Sequence, residues 1–249
     1  MDLGIASETV LIIALAFLVA GLVKGVIGGG LPAVAVPIMA NAIEPALAAS
    51  LTFTPVIVTN LWLLFQGGHV GEVIRRYWPF LLTLAAGSAF GAQILVNAPS
   101  EAMALAIGTF VVLLSPLPFI PKNWAIPERT QRWLNPVAAS GMGIIGGATV
   151  MLAPVIVYFV ALRIEKNLFV ASMGAVALSS MVPLFLSLAA NRILAGNEVL
   201  LSGLTLIPAL TGMGVGIWLR IRISQVWFQR ILFVALFVIG VNLIWKSLA

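Results

Sequence analysis

Apolar runs recur along the whole chain, and each is close to the roughly 20 residues that a helix needs to cross a lipid bilayer. Only 8% of the 249 residues are charged and 61% are hydrophobic, whereas a soluble domain carries about 25% charged residues. A chain of this composition cannot present an ordinary water-facing surface. The sequence therefore predicts an all-α integral membrane protein with several crossings.

Charged and titratable residues restrict the partners that can be expected. The net charge of +5 is assigned to cytoplasmic loops, where Lys and Arg of membrane proteins collect, and not to nucleic acid. The chain has no cysteine and a single histidine, His69, so we expect no metal site and no cofactor. The first apolar run is expected to be retained, because Asp2 and Glu8 stand where a signal peptide has basic residues.

One apolar run is interrupted in an unusual way. The stretch GLVKGVIGGGLPAVAVP, Gly21–Pro37, contains five glycines and two prolines. In a helix interior these residues cost about 1 and 3 kcal/mol each relative to alanine. The interruption therefore predicts a broken helix that turns back on itself as a hairpin.

The same interruption occurs twice in the chain. GVIGGGLPAVAVP (Gly25–Pro37) reappears as GIIGGATVMLAP (Gly143–Pro154), and repeated segments indicate repeated structural units. We divide the chain into an N-terminal membrane repeat, residues 1–120, a cytoplasmic linker, residues 121–134, and a C-terminal repeat, residues 135–249. Each repeat is predicted to be a glycine-broken half-helix hairpin followed by three transmembrane helices. The predicted elements are Thr9–Ala42, Pro45–Phe65, Tyr77–Val96 and Ala102–Ile120, then Asn135–Leu162, Asn167–Ala190, Leu200–Leu219 and Gln225–Ser247.

A second glycine pattern lies late in each repeat. Gly87 and Gly91 in the first repeat, and Gly212 and Gly216 in the second, are each separated by three residues. Small residues at this spacing let membrane helices approach closely. We interpret both pairs as packing positions.

The distribution of Lys and Arg separates two topologies. If each broken segment crosses the membrane once, the 12 basic residues other than Lys24 divide 7 against 5 between the two faces; if each turns back, they divide 10 against 2. The second division is the asymmetry expected of a cytoplasmic face, and it makes the two repeats inverted. The N-terminus is then predicted to lie outside the cell and the linker on the cytoplasmic side. The membrane itself is expected to be a bacterial inner membrane. The distribution of Lys and Arg does not distinguish re-entrant half-helices from full crossings as the arms of each hairpin. Both arrangements place the two ends of the broken segment on the same side of the membrane.

Inverted repeats with broken helices near the bilayer midplane are typical of secondary transporters. The N-terminus of a half-helix offers unpaired N–H donors and a partial positive charge, which together favour an anion. We expect one small anion to bind between the two N-termini. The alternative is that the glycines only allow close packing. The backbone positions of the predicted site are Gly28, Gly29, Gly30, Leu31, Gly146, Gly147, Ala148 and Thr149.

A few polar side chains are candidates to complete the shell of the anion. Ser50, Thr52 and Ser172 lie on the helices that follow the hairpins, although such hydroxyls can equally bond to their own helix. Lys24 is the basic residue of the first hairpin. It either attracts the anion or extends its ammonium to an interface.

In the repeated segments described above, the chain resembles the sulfite exporter family of the TauE/SafE type. The resemblance extends over essentially the whole length of the chain. The resemblance rests on the two glycine segments, on AASL (Ala48–Leu51) and VASM (Val170–Met173), and on the late glycine pairs. It implies a transporter of sulfite, thiosulfate or an organosulfonate such as sulfoacetate. The chain departs from the family pattern at Ala148, which replaces the third glycine of the second hairpin.

Two other functions stay open at this point. An integral-membrane enzyme is disfavoured because the carboxylates fall at loop edges and general acid–base chemistry needs titratable groups near the substrate; we expect no enzymatic activity. A membrane accessory protein that assists another complex is also compatible with the sequence. The sequence leaves open a homodimer, the coupling ion and the direction of transport.

The hairpin topology can be tested directly because the chain contains no cysteine. Glu8→Cys and Ile43→Cys are expected to react with a membrane-impermeant thiol reagent from one side, and Arg76→Cys from the other. Reaction at positions 8 and 43 from opposite sides would contradict the hairpin.

Overall fold

The structure is a computed structural model that describes residues 7–27, 29–66, 68–114, 128–162, 164–220, 222 and 225–248. Every regular element in these residues is a helix, which confirms the all-α prediction. Gly28 and residues 121–127 of the predicted linker lie outside the described residues. The helices are α1 (Ser7–Ile27), α2 (Leu31–Met39), α3 (Pro45–Leu51), α4 (Phe53–Gln66), α5 (Val70–Asn97), α6 (Ser100–Leu114), α7 (Glu128–Thr149), α8 (Ala153–Ala161), α9 (Lys166–Ala190), α10 (Gly196–Arg220) and α11 (Gln225–Leu248).

Among the described residues, four helices are long and apolar enough to cross a membrane, and α3 with α4 would make a fifth if this bent pair is one span. The four lie in α1, α5, α9 and α10. Large apolar side chains such as Trp62, Leu82 and Phe90 are exposed on them or on their neighbours. A contiguous apolar surface of this kind fits contact with lipid. The chain is a multi-pass membrane protein.

The hairpin arms are unequal in length. The second arms, α2 and α8, have nine residues each, or about 14 Å, which is half of the roughly 30 Å hydrocarbon core. The first arms, α1 and α7, have 21 and 22 residues. The prediction of half-helices therefore holds for the second arms only, since the first arms are long enough to span.

The described residues form two compact units that divide the chain differently from the predicted repeats. Unit 1 comprises residues Met1–Pro55, Ala98–Ile120 and Ile193–Ala249, and unit 2 comprises Val56–Asn97 and Pro121–Arg192. Each unit contains one hairpin and helices from both repeats. The inversion of the repeats and their boundaries stay predictions.

In unit 1, α1 packs against α10 through glycines on both helices. A Cβ atom at Gly21 or Gly25 would overlap the carbonyl oxygen of Ala209 or Met213, and one at Gly212 or Gly216 would overlap that of Leu18 or Leu22. The backbones approach this closely only because all four positions lack a side chain. Gly21 and Gly25 therefore belong to the helix packing and not to the break.

In unit 2, α5 and α7 pack in the same way. The four glycines at this contact are Gly87 and Gly91 on α5 and Gly143 and Gly147 on α7, and each faces a carbonyl oxygen of the other helix. The glycine pair of each repeat thus packs on the long hairpin arm of the other repeat. The packing interpretation of both pairs is supported, and their partners are now identified.

This packing corrects the register of the repeat. Gly25 was paired with Gly143 by the glycine runs, but its packing counterpart is Gly147, one helical turn further along. The same shift pairs Pro32 with Pro154, each the second residue of its short arm. Proline suits a first helical turn because its missing N–H would have no partner there.

An aromatic cluster holds the short arm of unit 2. Phe159 of α8 lies with its ring centroid 5.1 Å from Tyr77 and 5.2 Å from Phe80, both on α5, and Tyr158 stacks on Phe80 at 5.5 Å. These rings are buried in one apolar cluster with residues of α9. The position of α8 is therefore fixed by packing against α5.

The glycine packing makes a paired prediction on α10. Gly216→Ala is expected to weaken the contact of α1 with α10, because its methyl group would overlap the Leu22 carbonyl. Gly214→Ala adds the same methyl group where no atom lies within 4 Å, and it should raise stability by about 1 kcal/mol through helix propensity alone. Thermal unfolding in detergent measures both changes. Equal midpoints for the two variants would contradict the packing.

Candidate functional site

The break in unit 1 ends at a helix N-terminus with a particular backbone conformation. Gly30 is the N-cap of α2 and adopts φ 85° and ψ 15°, in the left-handed region. Glycine reaches this region without the steric cost that a Cβ brings. The glycines of this break therefore do what the sequence predicts, and Leu31 begins the short arm.

Two properties keep this N-terminus available. No side chain of the described residues caps it, so its first N–H groups lack the partner that a Ser, Thr, Asp or Asn cap would supply. A Cβ added at Gly29 or at Gly30 would meet no atom within 4 Å. The donors of α2 thus lie beside open space, as an anion site at a half-helix requires.

Lys24 lies in α1 one helical turn before this break. Its side chain is only 3% exposed, so it does not extend to a water interface. The corrected register places Gly146 at the equivalent position of the second hairpin, and a positive charge is therefore a feature of the first hairpin alone.

Ser50 and Thr52 are buried in unit 1, as the predicted site requires, but their hydroxyl groups are engaged locally. Ser50 Oγ donates to the Leu47 carbonyl oxygen at 2.8 Å, and Thr52 Oγ1 donates to that of Ala49 at 2.7 Å. Both bonds run back to the same helical turn. Either hydroxyl would have to exchange this bond in order to bind an anion.

A further break, which the sequence analysis missed, separates α3 from α4 at Thr52. Pro55 has no N–H, so the Leu51 carbonyl oxygen loses the donor that a continuous helix would give it. Ser202 and Thr205 of α10 donate to this oxygen at 2.9 and 3.2 Å, and Ser202 Oγ accepts from the Thr54 amide at 2.8 Å. This break is closed by the protein's own side chains, in contrast to the one at Gly30.

The break in unit 2 lies further along the chain than predicted. α7 continues through Thr149, and α8 begins at Ala153, so the break falls at residues 150–152. The predicted backbone positions Gly146, Gly147, Ala148 and Thr149 are inside α7 instead of at the N-terminus of α8. Gly147 is a packing glycine against the Ser88 carbonyl, which explains why a glycine run here does not end the helix.

Val150 replaces glycine at the point where the chain leaves α7. It has φ 62° and is buried. A β-branched residue in the left-handed region is a backbone outlier that costs of order 1–3 kcal/mol. Strain of this kind persists only where the surrounding structure holds it, and Val150 is buried.

Hydroxyl groups from α5 and α9 surround the last turns of α7. Ser88 Oγ lies 2.5 Å from Ser180 Oγ and donates to the Gly143 carbonyl oxygen at 3.2 Å. A Cβ at Gly146 would lie 3.3 Å from the Ser180 hydroxyl and 3.4 Å from the Met151 carbonyl oxygen. Ser180 therefore stands next to the break, a position that spacing along the sequence did not reveal.

Ser172 differs from the other predicted side chains. It is buried on α9, and its hydroxyl group has no hydrogen-bond partner among the described residues. Buried polar groups are almost always hydrogen-bonded in folded proteins. A hydroxyl left without a partner is an available donor in unit 2.

The structure therefore brings the predicted residues together in two groups. Lys24, Gly29, Gly30, Leu31, Ser50 and Thr52 lie in unit 1, and Gly146, Gly147, Ala148, Thr149 and Ser172 lie in unit 2. The described residues contain no group of three or more His, Cys, Asp or Glu side chains that could hold a metal ion. The expectation that both breaks face a single anion stays a prediction.

The family described as sulfite exporter TauE/SafE matches residues 13–243 of the chain. This match begins within α1 and ends within α11, so it includes both hairpins and both units. No curated protein matches the chain, and no solved structure matches it.

The closed break at Thr52 makes a testable distinction. Ser202→Ala is expected to destabilise the protein by about 1–3 kcal/mol, because the Leu51 carbonyl and the Thr54 amide lose a partner inside the protein. Thr211→Ala removes a hydroxyl from the same helix that bonds only to the Ile207 carbonyl on an exposed face. This control should leave the unfolding midpoint nearly unchanged in the same thermal assay. A Ser202→Ala protein as stable as the control would show that the hydroxyl does not hold the break.

Proposed function

The chain belongs to the sulfite exporter TauE/SafE family, and from that premise we propose that it is a secondary transporter that exports a small sulfur-containing oxyanion. Sulfite, thiosulfate and organosulfonates such as sulfoacetate are the substrates considered. Membership of the family supports transport of sulfur-containing anions across a membrane. The multi-pass helices support a location in the lipid bilayer.

The observation that carries the proposal is the uncapped N-terminus of α2. Its N–H groups have no side-chain cap, and the space beside Gly29 and Gly30 is open. Backbone donors inside a membrane protein must be satisfied by protein, water or a guest. An oxyanion is the guest that matches both the donors and the partial positive charge of a helix N-terminus.

The donors at this break suit transient binding. Lys24 is the basic side chain of the first hairpin and is buried in the same unit, and the other donors are neutral backbone groups. Hydrogen bonds to a charged group contribute about 1.5–3 kcal/mol each. A few of these bonds hold an anion selectively and still release it, which transport requires and tight storage does not.

Transport accounts for these residues better than catalysis does. The donors at the Gly30 break can hold and orient an anion, but a reaction needs an acid, a base or a nucleophile within reach of it. The titratable side chain of the described residues near this break is Lys24. We therefore assign the site to binding and passage of an unchanged anion.

The direct test is uptake of each anion into proteoliposomes that contain the purified protein. Saturable flux of at least one of sulfite, thiosulfate and sulfoacetate, absent from protein-free liposomes, is the expected result. Absence of flux for all three would overturn the sulfur-anion proposal and would favour a membrane accessory role.

Substitution of Gly29 tests the position of the site. Gly29→Ala and then Gly29→Leu place progressively larger groups in the open space beside α2, so flux should fall in that order. Loss of one or two backbone donors predicts a decrease in kcat/KM of roughly 10- to 100-fold for the leucine variant. Gly214→Leu, which also enters open space but lies on α10, should transport normally. Equal flux in all three variants would place the anion elsewhere.

A further inference from the structure

Four serines lie on one face of α9. Ser172, Ser179, Ser180 and Ser187 are spaced at i, i+7, i+8 and i+15, which places them within a sector of about 100° around the helix. The set extends over about 22 Å of the helix axis, most of the roughly 30 Å thickness of a hydrocarbon core. We call this set the serine seam.

Three members of the serine seam bond to α5. Ser179 Oγ donates to the Leu81 carbonyl oxygen at 2.5 Å, Ser180 Oγ lies 2.5 Å from Ser88 Oγ, and Ser187 Oγ accepts from Gln93 Nε2 at 2.8 Å. The bonds follow one another along both helices. They form a row of neutral polar groups inside unit 2, at the contact of α5 with α9.

The fourth member, Ser172, makes no such bond. Its side chain is 0% exposed and its hydroxyl has no partner among the described residues. Ser50, which follows the first hairpin as Ser172 follows the second, is equally buried but donates to its own helix. Helix geometry offers the same local bond to Ser172, so its free hydroxyl is a specific property of this position.

We propose that the serine seam is the surface along which the transported oxyanion is bound in unit 2, with Ser172 as its first contact. The inference rests on the proposed transport function and extends it from the break at Gly30 to a face that carries no charged side chain. Ser172 donates directly to the anion. Ser179 and Ser180 offer their hydroxyls when their bonds to α5 are exchanged for bonds to the guest. Ser187 accepts from Gln93 and donates its own O–H to the guest.

The chemistry of the seam fits a small oxyanion. Each hydroxyl can donate to an anionic oxygen without adding a charge, so successive contacts have similar strength and none of them traps the guest. Exchange of a hydroxyl–carbonyl bond for a hydroxyl–oxyanion bond keeps the number of hydrogen bonds constant.

The alternative is that the seam only joins α5 to α9. That role explains Ser179, Ser180 and Ser187, but it gives no reason for a buried Ser172 hydroxyl that joins nothing. The two roles differ in a measurable way, because a pure packing seam is closed to solutes and a binding surface is reached by small anions.

Cysteine reactivity distinguishes these roles, and the natural chain contains no cysteine that would interfere. Ser172→Cys and Ser180→Cys in proteoliposomes are expected to react with the anionic reagent 2-sulfonatoethyl methanethiosulfonate and to lose sulfite flux on reaction. Ala171→Cys is the matched control, because Ala171 is the neighbouring residue, is equally buried, and is not one of the four serines of the seam. Its reaction should be slower by about tenfold or more.

Removal of the hydroxyl provides a second measurement that does not depend on cysteine variants. Ser172→Ala should raise KM for sulfite by about tenfold, the loss expected for a donor to a charged group, and should leave the unfolding midpoint unchanged. Ser180→Ala should lower that midpoint, because its bond to Ser88 is lost. An unchanged KM in Ser172→Ala would overturn the proposal.

The outcomes separate this proposal from the proposed function. Normal flux together with a Ser172→Cys protein as unreactive as Ala171→Cys overturns the serine seam and leaves transport in place. Absence of flux in the unsubstituted protein overturns both. Rapid reaction of Ser172→Cys with loss of flux, and slow reaction of Ala171→Cys, supports the seam.

Discussion

The need to satisfy every backbone N–H and C=O inside a membrane governs the rest of this structure. A break in a helix exposes several of these groups at once, and the chain treats its breaks in two ways. At Thr52 the carbonyl of Leu51 and the amide of Thr54 are bonded by hydroxyls of α10. At Gly30 no side chain of the described residues caps the short arm, and open space lies beside the backbone. The anion of the proposed function would supply the hydrogen-bond partners at this second break.

The sequence predicted the membrane class, the two broken segments and the packing role of the late glycine pairs, because these depend on composition and on spacing along one helix. It did not predict which glycines break a helix and which pack, since both uses look alike in one dimension. Gly21, Gly25, Gly143 and Gly147 stay helical because the backbone of another helix lies against them. That helix comes from the other repeat. A local sequence pattern does not identify a packing partner so distant along the chain. The error of one turn in the repeat register has the same origin.

The candidate site was predictable to a similar extent. Gly29, Gly30 and Leu31 lie where the glycine run placed them, because three successive glycines with a proline two residues after the last of them leave the chain little alternative to a break. Gly146–Thr149 do not lie at a break. Gly147 stays helical because of helix packing, and the turn falls on Val150, a residue type that rarely adopts a positive φ. The break at Thr52 had a signal in Pro55 that is visible in the sequence. Ser180 had none, because its position next to α7 depends on how three helices pack.

The two hairpins share a scaffold and differ in chemistry, and this difference bears on how an anion is handled. In the corrected register of the repeat, buried Lys24 of the first hairpin is equivalent to Gly146 of the second. The Ser180 hydroxyl is a polar group next to Gly146. A positive charge attracts an oxyanion over a longer distance than a neutral donor does, since charge–charge attraction falls as the inverse of distance. Neutral hydroxyls act only on contact and release more readily. The proposed transport needs both properties. The first hairpin supplies the basic residue, and the serines beside the second hairpin supply the neutral donors. A second fixed charge, which would oppose release of the anion, is then not needed.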